Sequence, residues 1–230
     1  LLNAELTKAK KLGDTQKVAD LESQLNDLET QIDDLQSKIN DLKSERDALV
    51  EKIREVYNNF RAELYDILGK IGDIAKFEQD TGILKFLNKM KVNTASYILD
   101  FLEGKYEDVY DAVDDAIVDN FDKVKSYVVG VLKKMQASDS VIKSVTDYLD
   151  SIKNDPDKMF SFIQRFKSAE DFLTKNGLSL KNASADDVLS FLKGEEDITD
   201  LEEQIANTTK NSTNTPQNTQ TNNTPPQNTQ

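Results

Sequence analysis

The chain of 230 residues contains no cysteine, no histidine and no tryptophan. Without cysteine it can form neither a disulfide nor a thiolate nucleophile, and without histidine it lacks the usual imidazole base. A zinc site built from cysteine and histidine is excluded for the same reason. Any catalysis would have to depend on carboxylates, lysines or hydroxyl groups.

Glycine and proline are also scarce, with eight and four residues. The glycines do not follow the G-x-G-x-x-G or P-loop pattern that cradles phosphates. Among the 42 acidic residues, no spacing singles out a pair for glycosidase chemistry. We therefore expect a protein that is not an enzyme and that binds no cofactor and no metal.

Long apolar runs are missing, and positive charge is in deficit. No stretch approaches the roughly 20 apolar residues that cross a bilayer, so the sequence predicts no transmembrane segment. The net charge is −13, which repels phosphate backbones, and nucleic acid is therefore not an expected partner. The sequence begins at Leu1 rather than methionine, which indicates a processed chain or a fragment.

The strongest positive signal is an apolar residue at alternating steps of three and four over residues 18–60. This heptad spacing puts the side chains on one narrow stripe of a straight helix, about 63 Å long at roughly 1.5 Å per residue. We call this stripe the seam. Its members, interrupted by Arg46, are Val18, Leu21, Leu25, Leu28, Ile32, Leu35, Ile39, Leu42, Arg46, Leu49, Ile53, Val56 and Phe60.

A short helix is predicted before the seam, with Leu2, Leu6 and Ala9 on one face. Gly13 and Asp14 then provide a left-handed helix stop and an N-cap, which is typical of a helical hairpin. An arm of twelve residues reaches only about 18 Å, so it covers the start of the seam and leaves most of it bare. Something else must cover the rest: a second copy, missing upstream sequence, another helix of this chain or another protein.

Charges beside the seam do not decide how that partner lies. In a parallel pair of identical chains Lys17 would meet Glu22 favourably, whereas Lys38 would meet Lys43. Parallel and antiparallel pairing therefore both remain open at this stage. Arg46 within the seam is either a device that sets the register or a tolerated imperfection.

Beyond Phe60 the apolar spacing gains an extra step of four residues, which locally unwinds a supercoil. Gly69 and Gly72 follow, and each lowers helix stability by about 1 kcal/mol relative to alanine. They are candidates for a hinge. The alternative is a close crossing with another helix that only glycine permits.

Residues 80–206 are predicted to form a helical bundle. We expect helices over about 83–103, 105–136, 140–153 and 156–167, then a helical turn beginning at Ser168 and two final helices. Ser184 with Asp187, and Thr199 with Glu202, resemble the reciprocal caps that open such helices.

The helix predicted over 105–136 carries five aspartates at steps of three and four, here called the acidic row. Such a row could gather a cation or a basic partner, but it is more typical of a solvated helix face. Whether it binds anything is left open. Its members are Asp108, Asp111, Asp115, Asp119 and Asp122.

From residue 207 the composition changes to Asn, Thr, Gln, Pro and Ser, with a pentapeptide at 216–220 that recurs at 226–230. This tail has no apolar side chain to bury, which predicts an unfolded spacer. Acceptor sequences for N-glycosylation occur at Asn182, Asn207, Asn211 and Asn222. The composition favours an extracellular or virion-surface location.

These observations predict an all-α chain with three parts: a helical hairpin and long coiled-coil helix over 1–79, a helical bundle over 80–206 and a polar tail over 207–230. The function that they favour is a non-enzymatic structural or assembly protein that acts through helix contacts, as a homo-oligomer or with a protein partner. The alternative is a helical adaptor or secreted effector that binds one macromolecule, with the coil folded back within the chain.

Overall fold

The computed structural model describes residues 1–212, and this part of the chain is all-α, with ten helices and no strand. Residues 207–212 of the predicted tail continue the last helix, so the expected unfolded segment is wrong there, and residues 213–230 lie outside the described residues. The chain divides into two compact units, Leu1–Asp66 and the residues from Ile67 onward. The helices are α1 Leu2–Leu12, α2 Thr15–Thr81, α3 Ile83–Lys89, α4 Thr94–Leu102, α5 Val109–Asp119, α6 Phe121–Lys134, α7 Asp139–Ile152, α8 Pro156–Asn176, α9 Ala185–Lys193 and α10 Ile198–Ser212.

The predicted helical hairpin is present at the start of the first unit. Gly13 ends α1 in the left-handed conformation, with φ 71°, which glycine adopts without a steric penalty. The Asp14 carboxylate then accepts a hydrogen bond from the backbone N–H of Lys17 at 3.1 Å, so it caps α2.

Helix α2 is continuous for 67 residues and ends at Thr81, before Gly82 with φ 63°. It remains helical through Gly69 and Gly72. A Cβ atom added at either glycine would meet nothing within 4 Å, so the close helix crossing is not found at these two positions. The hinge stays a prediction.

The second unit is organised around α8, which contacts α3, α5, α7 and α9. The apolar residues of α8 lie nearly all around the helix, a pattern that is typical of a buried helix. Met159, Phe162, Ile163 and Phe166 are indeed all at most 4% exposed. Their side chains join one apolar core with residues from every helix between α3 and α10.

Polar contacts tie other helices to α8. The Tyr127 hydroxyl on α6 lies 2.9 Å from both carboxylate oxygens of Glu170. The Arg165 guanidinium donates to the backbone carbonyls of Phe191 at 3.2 Å and of Glu196 at 3.3 Å, near the end of α9. The Phe191 carbonyl also accepts from the N–H of Gly194 at 3.0 Å, so the arginine adds a second hydrogen bond there.

Three helices begin at a capping side chain, each within one residue of the predicted start of that helix. The side chain of Ser138 accepts a hydrogen bond from the N–H of Val141 and so opens α7. Asp155 caps α8 directly before its first residue, Pro156. Ser184 accepts from the N–H of Asp187 and opens α9.

Two predicted boundaries are wrong. The helix expected over 83–103 is split into α3 and α4 by a turn in which Lys91 has φ 65°. Conversely, Ser168 does not begin a helix, because its hydroxyl bonds back to the carbonyl of Gln164 at 3.0 Å and α8 continues through it. A serine inside a helix can make this backward bond, so serine alone does not mark a helix start.

The long helix expected over 105–136 is also wrong, since Asn120 separates α5 from α6. The Asn120 amide donates to the carbonyl of Ala116 at 2.8 Å, and its backbone leaves the helical region at φ −111° and ψ 26°. Asparagine competes with the backbone for such bonds, which favours a helix end. The helix also begins late, at Val109, because Asp108 is its N-cap.

The cap of the last helix lies at Asp197, two residues before the cap expected at Thr199 with Glu202. Asp197 accepts hydrogen bonds from the N–H groups of Thr199 and Asp200 at 3.0 and 3.4 Å. In return, Asp200 accepts from the N–H of Asp197 at 3.1 Å. The reciprocal cap therefore exists, but it is made by two aspartates.

The buried core predicts a strong contrast between two leucines of the second unit. Leu149 is fully buried and Leu99 is 57% exposed. Because Leu149→Ala leaves a cavity, we expect it to lower the free energy of unfolding by about 2 to 5 kcal/mol, and Leu99→Ala by less than about 1 kcal/mol. Urea unfolding followed by circular dichroism measures both, and equal losses would contradict this description of the core.

Candidate interaction surface

The hairpin covers only the first turns of the seam. Ala9 on α1 is 2% exposed and Leu21 on α2 is 5% exposed, while Val18 and Leu25 are half-buried. The Lys10 ammonium lies 2.8 Å from the Glu22 carboxylate and ties the two helices together. The arm therefore ends where the sequence predicted.

Beyond Leu25, every apolar member of the seam is exposed in the single chain. An apolar side chain of this size in water is unfavourable in proportion to its exposed area, and here the exposed side chains follow one another without a gap except at Arg46. A contiguous apolar surface of this kind marks an interaction site. The exposed fractions are Leu28 42%, Ile32 62%, Leu35 57%, Ile39 45%, Leu42 63%, Leu49 58%, Ile53 69%, Val56 68% and Phe60 62%.

Residues beside the seam widen the apolar surface at its far end. Val50 and Tyr57 are exposed and lie one position after a seam residue. Together with Ile53, Val56 and Phe60, Tyr57 lines a shallow apolar hollow on this face of α2. Sequence reasoning missed these two side chains because it considered only charge at the flanking positions.

Arg46 interrupts the apolar surface without burying its charge. Its guanidinium bonds to the carboxylate of the next residue, Asp47, at 2.6 Å, and its side chain is 66% exposed. The long side chain therefore reaches the edge of the seam and keeps its charge in water. A helix laid on the seam would have to accommodate the arginine stem while leaving this charge at the rim.

The acidic row is divided between structural tasks and lies on two helices. Asp108 caps α5 by accepting from the N–H of Asp111 at 3.0 Å. Asp119 accepts from the Tyr97 hydroxyl at 3.0 Å, and Asp122 lies in the first turn of α6. Burial raises the pKa of Tyr106 to about 12, and the hydrogen bond and charge of Asp115 add to this effect.

Asp114 on α5 is a half-buried carboxylate that the sequence pattern did not single out. Burial, followed by the charges of Asp157, Asp111, Asp108 and Asp115, raises the pKa of Asp114 to about 6. Both causes disfavour the charged form, because the carboxylate loses water and faces other carboxylates.

Other recesses in the described part of the chain are open to solvent, among them one of about 360 Å³ beside Arg165, Phe191 and Ile198. Among the described residues, no group of three or more acidic side chains is placed to hold a metal ion. A cavity inside the second unit, beside Leu132, Phe166 and Leu173, has about 20 Å³, whereas small-molecule pockets need about 300 Å³ or more. None of the helices between residues 1 and 212 combines the length and apolar character that membrane crossing requires.

The glycosylation candidates fall in different surroundings. Asn182 is exposed in the turn between α8 and α9, and Asn207 is exposed on α10. Asn211 lies in the last turns of α10, and Asn222 lies outside the described residues. Modification of these residues stays a prediction.

Comparison with known protein families finds no matching family model. Comparisons with curated proteins and with solved structures find no match either. The interaction surface on α2 is therefore interpreted from its own chemistry.

The raised pKa of Asp114 predicts a stability change with pH. The unfolded carboxyl titrates near 3.8 and the folded one near 6, so ionised Asp114 destabilises the fold above about pH 6, and this loss disappears as the pH falls toward 4. We expect Asp114→Asn to raise the free energy of unfolding by about 1 to 2 kcal/mol at neutral pH and by much less near pH 4.

Urea unfolding at the two pH values measures this difference. Glu203→Gln is the matched control, because Glu203 is an exposed acid in the same unit. If Asp114→Asn raises the free energy of unfolding equally at both pH values, ionisation of Asp114 is not what destabilises the fold.

Proposed function

We propose that this chain is a non-enzymatic structural or assembly protein whose long helix α2 pairs with a helix of another polypeptide along the seam. The observation that carries the proposal is the uninterrupted exposure of apolar seam residues from Leu28 to Leu42 and again from Leu49 to Phe60. Single exposed leucines are ordinary on protein surfaces, but an ordered stripe of them is not.

The heptad spacing of these residues selects the kind of partner. Side chains at alternating steps of three and four interlock with the same pattern on a second helix, as knobs in holes. A flat protein surface or a small molecule would leave half of each side chain in water. A helix of matching pattern is therefore the occupant that the surface fits best.

Charge supports a protein partner over other macromolecules. The net charge of −13 repels nucleic acid and anionic membranes. The composition of the tail, predicted from sequence to be an unfolded spacer, supports a place on a virion or cell surface. The same composition occurs in many linkers, so this part of the proposal is carried by composition alone.

The alternative is an adaptor or secreted effector whose seam is covered from within the chain. It differs from the assembly protein in one measurable property, since a self-covered chain remains a monomer at all concentrations. An assembly protein that pairs with itself gains mass with concentration, and one that pairs with a different protein does so when that protein is added.

Substitution within the seam tests the proposal. We expect Leu35→Lys or Ile39→Lys to weaken association by about 100-fold or more, because each places a charge in the apolar interface. Sedimentation equilibrium measures the association constant. Because both residues are already exposed in the single chain, the helical content and the urea midpoint of the second unit should not change.

Ser37→Lys is the matched control, since Ser37 is an exposed residue of the same helix that does not belong to the seam. It adds the same charge and should leave association unchanged. An unsubstituted chain that sediments as a 25.9 kDa monomer at every concentration, alone and in extracts of its source, would contradict the proposal.

A further inference from the structure

The seam sorts its side chains by shape. In the heptad notation, the first core position (a) holds every isoleucine of the seam, and the second core position (d) holds leucine in five of six places. The a residues are Val18, Leu25, Ile32, Ile39, Arg46, Ile53 and Phe60, and the d residues are Leu21, Leu28, Leu35, Leu42, Leu49 and Val56.

The separation of isoleucine and leucine into a and d positions improves packing only when two helices lie parallel and in register. When two identical helices lie parallel and in register, a packs on a and d packs on d, and the two layers have different geometry. β-branched side chains fit the a layer and leucine fits the d layer of a two-stranded coil. In an antiparallel pair each a residue faces a d residue, so every layer is mixed and the sorting would bring no advantage.

Arg46 and Glu45 add charge complementarity to the same arrangement. Glu45 occupies the flanking position directly before Arg46, and in a parallel pair this flank borders the a residue of the other helix. Each Arg46 would then reach the Glu45 of the second copy at the rim. Its guanidinium already points outward and is 66% exposed in the single chain.

Any other register separates these groups. A shift by one heptad would place Arg46 against Ile39 or Ile53 of the second copy, and an antiparallel pair would place it against leucine. A polar residue at a single a position is known to fix register in this way, because a wrong register buries its charge against apolar groups. The repulsion between Lys38 and Lys43 remains, but salt screens exposed charges of this kind.

The area is sufficient for a stable dimer. Full burial removes roughly 60 to 120 Å² of apolar surface per side chain, and the nine exposed seam residues are about half to two-thirds exposed. A pair would bury on the order of 1,000 Å² from these residues alone, which reaches the size of specific interfaces.

We propose that the partner of the seam is a second copy of this chain, parallel and in register from Leu28 to Phe60, with Arg46 as the residue that fixes the register. This inference rests on the proposed function, because it names the partner and the orientation of the same surface.

The orientation can be measured with spin labels because the chain has no cysteine of its own. Asn58→Cys and Ser37→Cys each place one label on the exposed side of α2, away from the seam. In a parallel dimer both labels should lie roughly 20 to 30 Å from their counterparts. An antiparallel dimer that pairs the same residues, 28–60, is centred near residue 44, so it displaces the Ser37 labels by about 20 Å and the Asn58 labels by about 40 Å along the helix axis. The two distances then become roughly 30 to 35 Å at Ser37 and roughly 45 to 50 Å at Asn58.

Pulsed dipolar spectroscopy on the full chain reads these distances, and sedimentation gives the mass, expected to be twice 25.9 kDa. Short distances at both positions support the inference. An Asn58 distance that exceeds the Ser37 distance by about 15 Å overturns the parallel orientation but leaves the proposed assembly function standing. Absence of coupling at both positions, with a monomeric mass, overturns the inference and shows that two copies do not pair.

The register role of Arg46 predicts a separate effect. We expect Arg46→Ile to tighten association by at least about 10-fold, because the apolar seam becomes continuous, and to broaden the Asn58 distance distribution as shifted registers become accessible. Arg46→Lys should keep both properties close to those of the original chain. A narrow, unchanged distribution for Arg46→Ile would show that Arg46 does not select the register.

Discussion

Contact between water and the apolar face of α2 is the constraint on which the first unit depends. With roughly 500 Å² of exposed apolar side chain per copy, covering the face would be worth on the order of 10 kcal/mol before association entropy is subtracted, similar to the whole stability of a typical domain. A single helix cannot bury this face by itself, because its side chains contact only side chains of the adjacent turns. In the proposed assembly, a second helix covers this apolar face.

The second unit buries its apolar side chains within its own core. Its helices from α3 to α10 contribute to one apolar core, and α8 gives that core its centre. Polar groups near the core have partners, as Tyr127 has in Glu170. Thus one unit has its apolar surface covered by its own helices, whereas the other exposes an ordered stripe. This difference explains why substitutions in the seam and in the core are expected to have separate effects.

Much of the fold could be predicted from local signals. Gly13 and Asp14, Ser138, Asp155 with Pro156, and Ser184 each mark a helix end by chemistry that involves only their neighbours in sequence. The break at Asn120 could not be found in this way, because the apolar period continues on both sides through Ile117 and Val124. The last cap was misplaced because Asp197 and Thr199 are both good capping residues two positions apart, and their hydrogen bonds decide between them.

The candidate surface was predictable to a similar degree. Heptad spacing alone identified the seam and the reach of the arm that covers Leu21. It did not reveal Val50 and Tyr57 as apolar flanks, nor the environment of Asp114, since burial and the approach of Asp157 from α8 depend on tertiary packing.

The folded-back arm at the start of α2 has a consequence for the growth of assemblies. Staggered helices with a free sticky end at each side recruit further copies without limit and form fibres, whereas aligned ones close after two. By occupying the first turns of the stripe around Leu21, α1 removes one of the ends on which a staggered copy could begin. In the proposed assembly, this blocked end would favour a finite particle over a filament.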